Sequence, residues 1–195
     1  MRRNLKLDSQ TSEIAQTGAL TSVALAGSKG YSVQQVITVT TPSAGTFTAA
    51  VTDICTKVAH GFKTGLKVQV SNSGGGLPAG LAGATDYFVI VLDADTFKLA
   101  ASLVNANAGT AVDITTTGTG TQTVTPTALA GCNVKFQGSV DGTNWTDLAA
   151  ATNITATVNL LTEKLDPMFD YVRSYFTMTA GQISIGQSTL VKSDD

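Results

Sequence analysis

The stretch that most constrains this chain runs from Val134 to Leu148, VKFQGSVDGTNWTDL. Val134, Phe136 and Gly138 fall on one side of a pleat, and Lys135 and Gln137 on the other, which predicts a strand. Asp141-Gly142 then predicts a tight primed turn, because Gly takes a positive φ without a Cβ penalty. Trp145, the only Trp in the chain, follows this turn. A large aromatic in that position is expected to pack against a sheet core rather than to stack on a ligand.

Composition agrees with a chain of many short strands. Thr and Gly are abundant, Pro occurs only four times, and charged residues make up 13% of the 195. Thr suits strands and Gly suits turns. With 43% hydrophobic residues the chain is expected to fold rather than to stay disordered. A net charge of −2 argues against a general nucleic-acid binder, which carries a basic stripe. Met1-Arg2-Arg3 is not followed by an apolar segment, so no signal peptide is expected. No apolar run reaches the length of a bilayer span, so no membrane association is expected either. Cys55 and Cys132 are expected to be reduced, small apolar residues.

Residues 1–12 read as an N-terminal arm carrying Arg2, Arg3 and Lys6, either a solvated tail or an arm laid on a neighbouring subunit. Residues 13–46 and 126–195 read as one β domain, and 47–125 as a second, smaller β domain inserted into it. In the outer domain, Gly27–Gly30 is expected to turn. Tyr31–Thr41 is expected to be a long strand whose parity changes at Gln34-Gln35, which suggests a bulge or burial on both faces. Leu165–Pro167 should be a loop. The strand from Phe169 to Met178 places Val172, Ser174, Phe176 and Met178 on one face, and Tyr171, Arg173 and Tyr175 on the other. In the insert, Tyr87–Leu92 is nearly continuously apolar and predicts a central strand, and Ala100–Ala108 predicts a turn or two of helix. The expected core residues are Trp145, Phe136, Val172, Phe176 and Tyr87. The fold class is therefore all-β, an Ig-like or jelly-roll-like β-sandwich interrupted by a small β domain.

Candidates for chemistry are few. His60, the single His, sits in Ala59-His60-Gly61 with no neighbouring ligand cluster, and is expected to be structural. Ser73–Gly76 is glycine-rich but lacks the Lys-Ser/Thr of a phosphate cradle. Asp86, Asp93 and Asp95 lack the spacing of a dedicated calcium loop and read as turn residues. No catalytic residue, metal or cofactor is expected, so the chain reads as non-enzymatic. Tyr171, Arg173 and Tyr175 are the residue types enriched at protein interfaces. With Arg2, Arg3 and Lys6 they form the interface candidates, the alternative for the tyrosines and Arg173 being a sheet face covered by neighbouring strands.

Two segments carry a resemblance. Val134 to Trp145 fits a Val-x-Phe-x-Gly-Ser-x-Asp-Gly-x-x-Trp hairpin, preceded by the strand from Tyr31 and followed by Tyr171-Val172-Arg173 and a last strand from Gly181 to Leu190. This pattern resembles a small β-sandwich of phage virion proteins. His60-Gly61-Phe62, Thr64-Gly65, Leu77–Leu81, Asp86–Ile90 and Asp95–Ala100 resemble a β module of phage tail and fibre proteins. The resemblance implies a structural virion protein made in the host cytoplasm and carried on the particle surface. It would be a homo-oligomeric capsid decoration protein whose partner is the major capsid protein, or else a tail or fibre component. Ser139 to Trp145 also resembles discoidin-like sugar-binding domains, which implies a carbohydrate-binding module instead.

Overall fold

The computed structural model describes residues 3–6, 12–15, 18–19, 22–24, 31–148, 150–154, 158–164 and 168–192. Gly27–Gly30 and Leu165–Pro167, expected as turn and loop, lie outside them, as does Arg2. The chain divides into two compact units, one of residues 1–40, 129–179 and 183–195, the other of residues 41–128 and 180–182. It is mostly β, with a single short helix among the described residues.

The first unit opens with β1 (Arg3–Lys6), β2 (Ser12–Ile14), β3 (Gly18–Ala19), β4 (Val23–Ala24) and the long β5 (Tyr31–Thr40). The second unit follows, with β6 (Gly45–Ala49), β7 (Cys55–Thr56), β8 (Lys67–Ser73), β9 (Asp86–Val91), β10 (Thr96–Ala100), α1 (Leu103–Ala108) and β11 (Thr121–Pro126). Its strands close into a barrel in the order β10-β7-β6-β11-β8-β9. A barrel of so few strands has an interior that side chains fill. Phe47, Val68, Val70, Tyr87, Val89, Phe97, Leu99 and Val124 are all buried, at alternate positions of their strands. The apolar run of β9 has a second cause besides this interior. Ile90 points the other way and is covered with Ala100 by Ala106 of α1. That helix is started by the Ser102 hydroxyl, which accepts from the Asn105 amide at 3.1 Å, and stopped by Gly109 in the left-handed region.

The glycine-rich loop after β8 serves backbone packing. Gly80 has φ 103°, and a Cβ there would strike the Asp113 carbonyl oxygen, so the position admits only Gly. The Gly76 amide donates to the Thr119 hydroxyl at 3.1 Å, the Thr119 amide to the Gly76 carbonyl at 2.9 Å, and the Ala79 amide to the Thr116 hydroxyl at 2.9 Å. Loop donors that a phosphate would need are therefore engaged within the loop and its neighbour.

The first unit resumes with β12 (Asn133–Ser139), β13 (Thr146–Asp147), β14 (Thr152–Asn153), β15 (Val158–Lys164), β16 (Tyr171–Thr177) and β17 (Gln182–Lys192). One antiparallel sheet runs β1-β17-β5-β15, with β2 also on β17. The other has β12 and β16 at its centre, β13 and β14 along the free side of β12, and β3 and β4 along that of β16. Ile37 of the first sheet and Ile183, at the start of β17, share one core with Cys132, Val134, Phe136, Val172 and Phe176 of the second. Gly138 faces this core, and a Cβ on it would lie 2.6 Å from the root of the Phe169 ring. The glycine thus makes room for Phe169 to lie across the strand.

Three expectations are corrected. Arg3–Lys6 is not a free arm: β1 pairs with β17, with Arg3 opposite Lys192 and Lys6 opposite Thr189. Of the two readings of the parity change at Gln34-Gln35, the bulge is absent from the ladder between β5 and β15, which runs from Thr38 to Ser32 without a skipped residue, while the burial of Gln34 and Gln35 lies outside what is described. Asp141-Gly142 is not a two-residue primed turn. The strands end at Ser139 and restart at Thr146, and Asp141 lacks the positive φ that both primed turn types require at the first centre.

Candidate functional site

Strand alternation builds the site. On β16, Val172, Ser174 and Phe176 are buried, so Tyr171, Arg173 and Tyr175 project from the opposite face and are half-buried there. On β12, Val134 and Phe136 enter the core, which turns Lys135 and Gln137 to the same outer face as Arg173. The register sets Lys135 opposite Tyr175, Gln137 opposite Arg173 and Ser139 opposite Tyr171. On the other side of β12, Asp147 stands opposite Gln137. Ala19 and Ala24 occupy the register positions beside Tyr175 and Tyr171, so small residues border the row on that side.

These side chains form one connected network. The Arg173 Nε–H donates to Gln137 Oε1 at 2.9 Å. Gln137 Nε2 donates to Asp147 Oδ1 at 2.8 Å, and Lys135 Nζ donates to Asp147 Oδ2 at 2.6 Å. A flipped Gln137 amide would set NH₂ against the Arg173 N–H and oxygen against the carboxylate, so the network fixes its orientation. The Arg173 guanidinium lies 4.0 Å from the Trp145 ring centroid and 5.9 Å from that of Tyr175, and Lys135 Nζ lies 5.6 Å from Tyr175. Each such cation–π contact contributes about 0.5–1 kcal/mol when exposed and more when desolvated. The Lys135 ammonium and the Gln137 amide hold the Asp147 carboxyl below the usual carboxylate range.

Trp145 is therefore not a core residue. It stands half-buried outside the core cluster, under Arg173. The loop that carries it is held by Asp141. Asp141 Oδ1 accepts from the Thr143 amide at 2.8 Å, the Asn144 amide at 2.7 Å and the Ser139 hydroxyl at 2.9 Å, and Oδ2 accepts from Asn144 Nδ2 at 2.7 Å. Donation by the Asn144 and Thr143 amides, then by the Asn144 and Ser139 side chains, pulls the Asp141 carboxyl far below its ordinary range. Gly142, at φ 73°, lies against the Tyr171 ring.

Of the remaining candidates, Arg3 and Lys6 sit on β1, away in sequence and sheet from the Tyr–Arg row, and Arg2 is not described. Phe136, Val172 and Phe176 lie in the core of their unit, and Tyr87 lies in the barrel, its hydroxyl accepting from the Ala82 amide at 2.8 Å. His60 is 3% exposed. Its Nδ1 accepts from the Phe62 amide at 2.9 Å, Nε2 is 3.0 Å from the Asp93 carbonyl oxygen, and its ring stacks on Phe62 at 4.8 Å. Both ring nitrogens are thus engaged by backbone. Asp93 accepts from the Asp95 and Thr96 amides and the Thr96 hydroxyl, and Asp95 accepts from the Ala59 amide. Asp86 accepts from Lys67 and Gln69. Among the described residues no three His, Cys, Asp or Glu gather as metal ligands. No helix among them is long and apolar enough to cross a membrane.

An open groove of about 770 Å³ lies on the barrel unit. Thr46, Thr48, Thr56, Lys57 and Thr121 contribute to its walls. Its lining is hydroxyl-rich and mostly uncharged, and the Lys57 ammonium leans back over the Phe62 ring at 5.4 Å.

Lys135, Gln137 and Asp147 did not stand out in the sequence as site residues. The signal available was parity: Lys135 and Gln137 alternate with the core residues of β12, and so share a face with any outward row on its partner strand. No protein-family model matches the chain, and no curated protein or solved structure matches it.

Proposed function

We propose that this chain is a non-enzymatic structural protein of a phage particle, a capsid decoration protein that docks on the lattice of the major capsid protein. The observation that carries this reading is the Trp145–Arg173–Tyr175 stack on the outer face of the β12/β16 sheet. Aromatic residues and Arg are the groups that dominate protein interfaces, and here they are held in place by a hydrogen-bonded network before any partner arrives. The motif resemblance from Val134 to Trp145 supplies the virion setting. Two sheets that contribute to one core support reading the first unit as an Ig-like or jelly-roll-like sandwich, and the barrel as a module carried between β5 and β12. Many copies on a symmetric lattice convert a modest contact into firm attachment. A carbohydrate-binding role is less favoured, because the Arg173 guanidinium already covers one face of the only Trp.

Co-sedimentation of the purified protein with capsids that lack it tests the proposal. Saturable binding at hundreds of copies per particle is expected. Binding at a few copies, or to tails alone, moves the protein to the tail or fibres. Binding to neither overturns the virion reading, and a glycan array then decides on the sugar-binding alternative.

A further inference from the structure

We propose that Arg173 is a preformed receptor for a single carboxylate, an Asp or Glu side chain of the docking partner. This inference rests on the reading of this face as an interface. The guanidinium has three nitrogens, and only Nε has a hydrogen-bond acceptor among the described residues, Gln137 Oε1. Among the described residues Nη1 and Nη2 have no acceptor, and they form the fork that matches a carboxylate in two parallel hydrogen bonds. The plane of that fork is set by Trp145 on one ring contact and Tyr175 on another.

The nearest carboxylate in the network, Asp147, does not fill the fork. It is held by Lys135 and by Gln137, and Gln137 stands between it and the guanidinium. Within the network Lys135 and Asp147 neutralise one another, which leaves the positive charge of Arg173; the Asp141 carboxylate at the end of the row is held by its own loop. One positive charge with a planar pair of donors fits a monoanionic carboxylate. A phosphate dianion would meet the Asp147 charge without a second free cation to balance it. Gln137 is a positioning residue: it ties Nε, so the fork cannot rotate about its axis towards Asp147.

The full-length protein, labelled with ¹⁵N, is titrated with sodium acetate, sodium phosphate or sodium chloride at matched ionic strength. The Arg173 Nε–H and Trp145 indole N–H resonances are followed. Acetate is expected to move both saturably, and chloride only weakly and linearly. Arg173→Lys keeps the charge and removes the fork, and should weaken acetate binding at the Trp145 signal by roughly tenfold. Gln137→Leu should weaken it severalfold and speed exchange of the Arg173 Nε–H with water. An acetate response no larger than that of chloride, or unchanged in Arg173→Lys, overturns the proposal. Phosphate binding tighter than acetate overturns the carboxylate assignment. Unchanged affinity in Gln137→Leu removes the positioning role. These outcomes are separate from the capsid test. Acetate binding without capsid binding sinks the virion reading and leaves the carboxylate site standing, and capsid binding without acetate binding does the reverse.

Discussion

In the barrel unit every strand is flanked on both sides, and Asp53, Asp86, Asp93 and Asp95 are taken up by turns and neighbouring lysines. In the other unit the sheets are open. The β12/β16 sheet ends on short, split strands (β13 and β14 on one side, β3 and β4 on the other), and a row of cationic and aromatic side chains projects from its central pair. The difference is one of saturation. A closed barrel satisfies its own backbone and packs its interior, and so is suited to being carried. The open sheet organises Arg173 and, among the described residues, gives its outer donors no acceptor, which suits it to the docking proposed above.

The sharpest test of this contrast is to remove the closed unit altogether. The chain enters the barrel on β6 and leaves it on β11, and Gly45 pairs with Val124, so the two ends lie about 5 Å apart. Joining Thr40 to Leu129 through a short Gly-Ser linker should leave a unit that unfolds cooperatively in denaturant, followed by Trp145 fluorescence. A broad, non-cooperative transition would mean that the open-sheet unit depends on the barrel, and the comparison would fail.

Two buried thiols allow a finer version in the intact protein. Cys55 lies in the barrel and Cys132 in the core of the other unit, and both are free. Burial, with the Asp53 charge adding to it, pushes the Cys55 thiol up to about 12, and burial pushes Cys132 up to about 11. At pH 8 both remain protonated in the folded state, so modification by a disulfide reagent reports opening. Phe97 is fully buried among Phe47, Phe62 and His60. Phe97→Ala should cost about 3–5 kcal/mol and speed labelling of Cys55 by roughly two to three and a half orders of magnitude, with Cys132 little changed. Gly138→Ala should do the opposite on a smaller scale, about 1–3 kcal/mol, because its methyl drives into Phe169. Cys132 should then label roughly tenfold faster or more, and Cys55 as before. Equal acceleration at both thiols in either variant would mean that the two units open as one.

What the sequence made legible was local. Alternation along Tyr171–Thr177 and Asn133–Ser139 located both central strands and the outward row of Tyr171, Arg173 and Tyr175. What it left dark was pairing at long range. β7 is only Cys55–Thr56, too short to announce itself, yet it bridges β6 and β10 in the closed barrel. β1 joins a strand far along the chain, so a segment with Arg3 and Lys6 in it reads as a tail until its partner is known. Trp145 was misplaced because bulk alone argues for a core. Its position is set by Arg173, a partner on a strand that no local pattern connects to it. The Gln137–Asp147 link follows from a register that the loop length fixes. That loop is longer than Asp141-Gly142 suggests because the Asp141 carboxylate caps the backbone two and three residues on.

The smallest expected difference between the units concerns acid, and it turns on that same carboxylate. Asp141 has its folded-state pKa lowered, chiefly by the Asn144 and Thr143 amides. A lowered carboxyl contributes stability that is fully present above the unfolded value of about 3.9 and is lost as pH falls towards the folded value. The open-sheet unit should therefore weaken progressively below about pH 4, as read by the denaturant midpoint of Trp145 fluorescence. Asp141→Asn removes the titration, so its midpoint should be lower than wild type at pH 7 and should change less between pH 5 and pH 2.5. The barrel has its own acid-sensitive carboxylates in Asp86 and Asp93, both lowered by side-chain hydrogen bonds. Its midpoint, followed by exposure of Cys55 to an acid-tolerant thiol reagent, should keep the wild-type pH dependence in Asp141→Asn. An unchanged Trp145 profile in the variant would show that the Asp141 loop does not hold the Trp145 end of the sheet. A matching change at Cys55 would show that the two units titrate as one body.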